Sequence, residues 1–136
     1  MSSDNKKLLR NFFSSKYYKN ISDFEKYIHP KIQIDWNSSK GFFQFDYEKF
    51  KAMSTEMGKS FENMSPEFSH LIEEDNKVCA RFTYNVETLE SSDLIGLADF
   101  FCIWEIRDNQ LYRGYIMSQP SDDGLDGILS YINDHN

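Results

Sequence analysis

The chain is poor in cysteine and in positive charge, and it has no long apolar run. Two cysteines, Cys79 and Cys102, in 136 residues allow one disulfide at most, and nothing in the sequence indicates it. Neither belongs to a Cys-x-x-Cys or Cys/His spacing that would hold a metal, so no metal site and no cofactor is expected. Each sits in a strand-like apolar run, where a free thiol behaves as a small hydrophobe. Lys and Arg number 15 against 22 Asp and Glu, a net charge of −7. The basic residues are scattered, with only short clusters such as Lys6-Lys7. Phosphate binding wants a basic stripe, so nucleic acid is not an expected partner and anionic membrane surfaces are disfavoured. The acidity reads as solubility. No segment is apolar for long enough to span a bilayer, and MSSDNKKLLRNFF lacks the run of a signal peptide. A cytoplasmic protein is the expectation. No internal repeat or low-complexity linker divides the chain, and its length suits one domain over 1–136.

Aromatic residues are abundant instead. Twelve Phe, eight Tyr and two Trp accompany a 40% hydrophobic content, enough for a real core. Residues 4–18 read as an amphipathic helix capped by Asp4, with Leu8, Leu9, Phe12 and Phe13 on one stripe and Tyr17 continuing it. Ser22-Asp23-Phe24-Glu25 has the form of a capping box for a second helix, which Pro30 ends. Lys31–Trp36 alternates as a strand, and 37–41 reads as a loop. Phe42–Phe45 fits a short strand or more of that loop. A third helix starts at Asp46, with Phe50, Met53, Met57, Phe61 and Met64 recurring every three or four residues until Pro66. From Glu67 the period changes to two. Phe68–Glu73, Asp75-Asn76 and Val78–Leu89 read as a hairpin. In the tail, Ile128, Leu129 and Ile132 suggest a short last helix. Asp122, Asp123 and Asp126 lack calcium-loop spacing and read as a solvated turn. Helices first and antiparallel strands after imply an α+β fold with the helices on one sheet face.

The stretch Leu97–Ser118 reads as the central hairpin: two aromatic-rich runs around Asp108-Asn109-Gln110. Ala98, Phe100, Cys102, Trp104 and Ile106 form an apolar face that needs cover. Phe101 and Ile103 alternate on the other side, with Tyr112, Gly114 and Ile116 expected beside them on the next strand. A patch of this kind marks an interface.

The element order, the helix end Tyr27-Ile28-His29-Pro30, the strand to Asp35-Trp36 and the hairpin IWEIRDNQL resemble the nuclear transport factor 2-like superfamily, in particular its SnoaL-like and ketosteroid isomerase-like branch. The resemblance covers about residues 6–119 and leaves 120–136 as an extension. Asn109 stands where the family commonly has glycine, and Gln110 where it has lysine. The resemblance implies a curved antiparallel sheet forming a cone closed by three N-terminal helices. It also implies a pocket for a small apolar or aromatic ligand and a homodimer through the sheet. Isomerase and cyclase members place carboxylic acids in the cone for proton transfer next to a carbonyl.

Carried over by position, Asp35 falls where that branch carries its base. Strand alternation alone puts it with Lys31 and Gln33 on the wet side. Cys102 stands where relatives often hold a buried acid, and a thiol is a poor substitute. The helix-1 tyrosine of the isomerases falls near Asn11 and Phe12. Two of three positions are thus substituted. His70 and Tyr84 are the candidates to assist Asp35, with a structural or surface role open for His70. Asp99 has the opposite parity to the apolar face and enters it only if the strand bulges. The expected ligand lining is Phe12, Trp36, Phe82, Tyr84, Phe100, Cys102 and Trp104. Three functions stay open: a ligand-binding protein of unassigned reaction, an isomerase, cyclase or dehydratase with Asp35 as base, and an interaction module using the sheet face.

Overall fold

A computed structural model describes residues 2–88 and 94–121. Two helices, α1 (Ser2–Ser14) and α2 (Ile21–Tyr27), precede β1 (Ile28–Ser38) and β2 (Gly41–Phe45). Helix α3 (Tyr47–Ser60) follows, then β3 (Phe61–Glu74), β4 (Lys77–Thr88), β5 (Leu94–Arg107) and β6 (Gln110–Pro120). The helix suggested by Ile128, Leu129 and Ile132 lies outside the described residues.

Helix ends follow local hydrogen bonding. Helix α1 starts at Ser2, so Asp4 sits in its first turn, where a carboxylate favours the helix dipole, rather than before it. It stops at Ser14, short of the expected residue 18, where the Ser15 hydroxyl bonds back to the Phe12 carbonyl at 2.6 Å. Tyr17 is nevertheless buried, in the turn that follows. Asn20, not Ser22, caps α2: its side chain accepts from the Ser22 amide at 2.9 Å. Asp46 caps α3 as expected, accepting from the Lys49 amide. That helix ends at Ser60, so Phe61 and Met64 belong to a strand although their spacing continues the helical stripe. Near its end Gly58 lets the helix touch the Tyr18 backbone, where any side chain would run into the Tyr18 carbonyl.

The strands form one curved, unclosed sheet in the order β2-β1-β6-β5-β4-β3. All neighbours are antiparallel except β1 and β6. Its inner face carries the helices, α1 over β3 and β4, and α3 over β1, β2 and β3. Edge strand β3 accommodates Pro66, whose missing N–H costs nothing at an edge. The Tyr18 hydroxyl serves that strand's backbone: it accepts from the Met64 amide at 2.8 Å and lies 3.3 Å from the Met64 carbonyl.

The β5–β6 turn is Asp108-Asn109, both at positive φ (54° and 64°), the pair of left-handed residues that a two-residue hairpin wants. Tyr112 is an extra residue on β6, between the pairs Ile106–Leu111 and Glu105–Arg113. The bulge shifts the register by one. A plain two-residue turn would set Phe101 opposite Ile116 and Ile103 opposite Gly114. Instead Phe101 faces Met117 and Ile103 faces Tyr115. This corrects the expected outer set: Gly114 and Ile116 are buried inside, and Tyr115 and Met117 lie outside. No helix among the described residues is long and apolar enough to cross a membrane.

Candidate functional site

Inner-face alternation brings Val78, Ala80, Phe82 and Tyr84 of β4 beside Cys102 and Trp104 of β5, all buried. Helix α1 fills the space above them with Phe12 and Phe13; Phe13 packs on Phe82, Tyr84 and Trp104 at 4.7, 5.8 and 6.0 Å between ring centroids. The Trp104 ring lies on Gly114, where a Cβ would meet it at 2.6 Å. Phe12 packs instead on Phe13, Tyr17, Tyr27 and Phe50, and the expected lining residues Phe12, Tyr84, Cys102 and Trp104 all belong to the buried core.

The polar groups here are neutral. The Tyr84 hydroxyl is 3.1 Å from both the Phe13 carbonyl and the Tyr17 hydroxyl. A carbonyl only accepts, so Tyr84 donates to it and accepts from Tyr17. Burial pushes the Tyr17 phenol up. Burial, reinforced by Tyr17, raises Tyr84 well above its usual value. Burial also pushes the Cys102 thiol up to about 12, with the Trp104 indole opposing. That indole N–H has no well-formed hydrogen bond, since a thiol sulfur is a weak acceptor. A thiol kept neutral is not a nucleophile, and these phenols can donate a hydrogen bond but not act as bases near neutrality.

Toward the other end of the strands the inner face stays aromatic, with α1 reaching Phe82 through Phe13 and Phe68 through Arg10. Phe43, Phe45, Trp36, Phe100, Phe82 and Phe68 form an unbroken belt of rings across β2, β1, β5, β4 and β3. Successive centroids are 6.4, 5.8, 6.0, 5.1 and 5.0 Å apart. Trp36, Phe45, Phe68 and Phe100 are only half-buried, and Phe43 is exposed. Strand β6, between β1 and β5, adds no ring and contributes a small polar residue, Ser118, paired with Phe100. The Trp36 indole donates to the Ser118 hydroxyl at 2.7 Å.

The remaining candidates lie elsewhere. Asp35 pairs with Gln44 and Tyr115 on the outer face, and the Gln44 amide donates to its carboxylate at 3.1 Å. His70 is exposed on the outer side of β3, opposite Arg81 and 3.0 Å from the Ser69 hydroxyl. Strands β1 and β3 are four places apart in the sheet, about 19 Å, so Asp35 and His70 do not meet. Asp99 is exposed on the outer face and accepts from Thr83 at 2.7 Å. Of the expected lining residues, Trp36, Phe82 and Phe100 lie on this belt; Phe43, Phe45, Phe68 and Ser118 join them without having been expected. The Tyr112 bulge hid Ser118: a plain turn sets Met117, not Ser118, opposite Phe100.

The outer face is different in kind. Phe101, Ile103, Tyr115 and Met117 are 55, 41, 43 and 64% exposed and form one cross-strand cluster. A depression of about 660 Å³ crosses five strands there. Met117, Phe101 and Arg81 make one wall, Gln119, Asp99 and Thr83 the other. Its floor is the backbone of Ser118, Phe100 and Phe82, whose side chains point to the inner face. An open trough on an exposed sheet does not bury most of a small ligand, as ligand sites do; it has the form of a protein contact.

Neither the family models nor the curated proteins contain a match to this chain. Solved structures do match. IdmH, a proposed polyketide cyclase from Streptomyces antibioticus, superposes with a TM-score of 0.68 at 13% identity, over 94% of this chain and 97% of its own. A proposed SnoaL-like polyketide cyclase from Jannaschia gives 0.65 at 11% identity, over 95% and 91%. TerC, co-crystallised with polyporic acid, gives 0.61 at 16% identity, over 93% and 98%. Likeness at this identity speaks for fold and not for chemistry: the chain has the nuclear transport factor 2-like, SnoaL-like fold.

Proposed function

We propose that this protein binds a small, flat aromatic or apolar molecule against the aromatic belt of the inner sheet face, inside the wide end of a cone. The observation that carries this reading is the run of six neighbouring rings, four of them half-buried. Stacking on such rings is sequence-built affinity for a flat ligand. The polar groups beside the belt are Ser118, the Trp36 indole and, deeper, Tyr84. They orient a ligand by hydrogen bonds rather than by charge. Proton abstraction next to a carbonyl needs a carboxylate or imidazole within hydrogen-bond reach; Asp35 and His70 are on the other face, which favours binding over enolisation. That TerC, of the same fold, was crystallised with polyporic acid supports a small-ligand role for the class.

Anthraquinone-2-sulfonate is a soluble probe. Calorimetric titration should give a single saturable site, weakened about tenfold or more by Trp36→Ala and by Phe100→Ala, the cost of losing a stacked anchor. Unchanged affinity in both variants contradicts the belt as the site.

The outer face supports a second element of the proposal, a homodimer. A two-fold contact uses the same patch on both copies, and the exposed apolar cluster of Phe101, Ile103, Tyr115 and Met117 supplies a surface for it.

A further inference from the structure

We infer that strand β2 is a self-association edge: two copies of this chain join through it, antiparallel, about a two-fold axis at Phe43. This contact is separate from the one on the outer sheet face and does not depend on ligand binding.

The edges of the sheet are β2 and β3, and they are built differently. An open edge offers unpaired N–H and C=O groups to any other strand, and proteins guard against this with charge, proline and bulges. Strand β3 has all of these: Pro66, the register shift between Phe68 and His70, and Glu62, Glu67, Glu73 and Glu74. Strand β2, Gly-Phe-Phe-Gln-Phe, has no charge, no proline and no bulge. It exposes Phe42 and Phe43 at 55 and 43%, one on each face of the sheet.

The strand is also complementary to itself. Ser38 and Gly41 close a two-residue turn as a hydrogen-bonded pair, and alternation along the ladder makes Trp36–Phe43 and Ile34–Phe45 the next such pairs. Phe42 and Gln44 therefore turn their N–H and C=O away from β1. In the antiparallel register centred on Phe43, Phe42 of one copy lies opposite Gln44 of the other, and the two exchange hydrogen bonds. Phe43 meets its own copy on the axis. Phe45 falls opposite Gly41, which has no atom within 4 Å of where a side chain would start and leaves room for the ring. The residues flanking the strand, Lys40 and Asp46, are exposed and oppositely charged. The same register sets Lys40 of each copy opposite Asp46 of the other. Asp46 caps α3 through Oδ1, which leaves Oδ2 for the lysine. A parallel pairing would stack Lys40 on Lys40 and Asp46 on Asp46. Charge thus selects a second copy, turned antiparallel, as the occupant. A strand of 5 residues makes a small contact, weaker than a standard interface, so it adds to the outer-face pair at high protein concentration.

Cysteine cross-linking reads the register. Phe43→Cys, Phe42→Cys and Gln44→Cys are each made in a Cys79→Ser chain, oxidised with copper phenanthroline and run on a non-reducing gel. All three positions are exposed, so the fold tolerates the change. On the axis, residue 43 meets itself at the close Cα separation of a non-hydrogen-bonded pair, about 4.5 Å, within disulfide reach. Residues 42 and 44 face each other's position, and each lies diagonally from its own copy, beyond that reach. Phe43→Cys should cross-link about tenfold faster than either neighbour. Adding Lys40→Glu, which sets Glu against Asp46, should slow it about threefold or more at low salt. Equal rates at all three positions, as parallel stacking or random collision gives, overturn the inference. So does the absence of a cross-link at residue 43, as an edge taken by another protein or left to water gives. A rate unmoved by Lys40→Glu overturns charge as the selector of the second copy.

Discussion

Strand β5 carries the same chemistry on both faces and meets two different fates. Cys102 and Trp104, pointing in, are 2 and 0% exposed; Phe101 and Ile103, pointing out, are 55 and 41% exposed. Hydrophobicity does not distinguish the faces. Cover does: the helices lie on one side, and nothing among the described residues lies on the other. Apolar residues on a covered face stabilise the fold, whereas on an uncovered face their gain comes only through a partner.

The sharpest way to break this comparison is to truncate both sides of one strand. Trp104→Ala should cost about 3–5 kcal/mol, a buried aromatic replaced by a cavity. Phe101→Ala should cost less than about 0.5 kcal/mol in the monomer, as surface changes do. Urea unfolding at low protein concentration measures both, and similar losses would erase the distinction between the faces. A smaller effect belongs to the outer face alone. Phe101→Asp should weaken self-association by about 2 kcal/mol or more, the scale of a central interface residue. Sedimentation should then shift from a dimer toward a 16.1 kDa monomer, with the circular dichroism unchanged. A wild-type chain that is monomeric at high concentration contradicts the proposed dimer.

The smallest effect concerns the covered face and pH. The Cys102 thiol is held up to about 12 when folded, against an ordinary 9.0. Below pH 9 it is neutral in both states. Between about pH 9 and 12 the unfolded chain loses this proton and the folded one keeps it, so stability falls as pH rises, by up to ~1.4 kcal/mol per unit. Tyr17 and Tyr84, raised from 10.0 by burial, add to the fall above pH 10. Cys102→Ala should flatten the decline between pH 9 and 10, measured by urea unfolding across that range. An unchanged slope would mean that the thiol is not shielded as its burial requires.

The α+β order, the Asp46 cap, the Asp108-Asn109 turn and the alternation of β4 and β5 were all legible, because each is a local pattern with one physical solution. The misses are places where a local pattern had a rival. Ser22 has the form of a cap, but Asn20 takes the Ser22 amide and starts α2 at Ile21, which puts Ser22 inside the helix. The α3 stripe could continue through Phe61 and Met64, whose spacing fits a helix, but tertiary pairing with β4 made them a strand. The Tyr112 bulge moved every outer residue of β6 by one. That error displaced Ser118 from the site and put Gly114 on the wrong face. Asp35 shares the parity of Lys31 and Gln33 and lies on the outer face beside Gln44 and Tyr115. The belt itself was only half legible, since its order along the sheet depends on strands β3 and β2 being brought to opposite ends of it.

Residue-resolved NMR during titration with anthraquinone-2-sulfonate tests the central claim, that the two faces of this sheet divide ligand binding from self-association. The expected result is saturable shifts of the Trp36 indole N–H and the Phe68 and Phe100 ring signals, with Phe101, Tyr115 and Met117 unmoved. Shifts confined to Phe101, Tyr115 and Met117 would place the ligand in the outer depression and contradict the account.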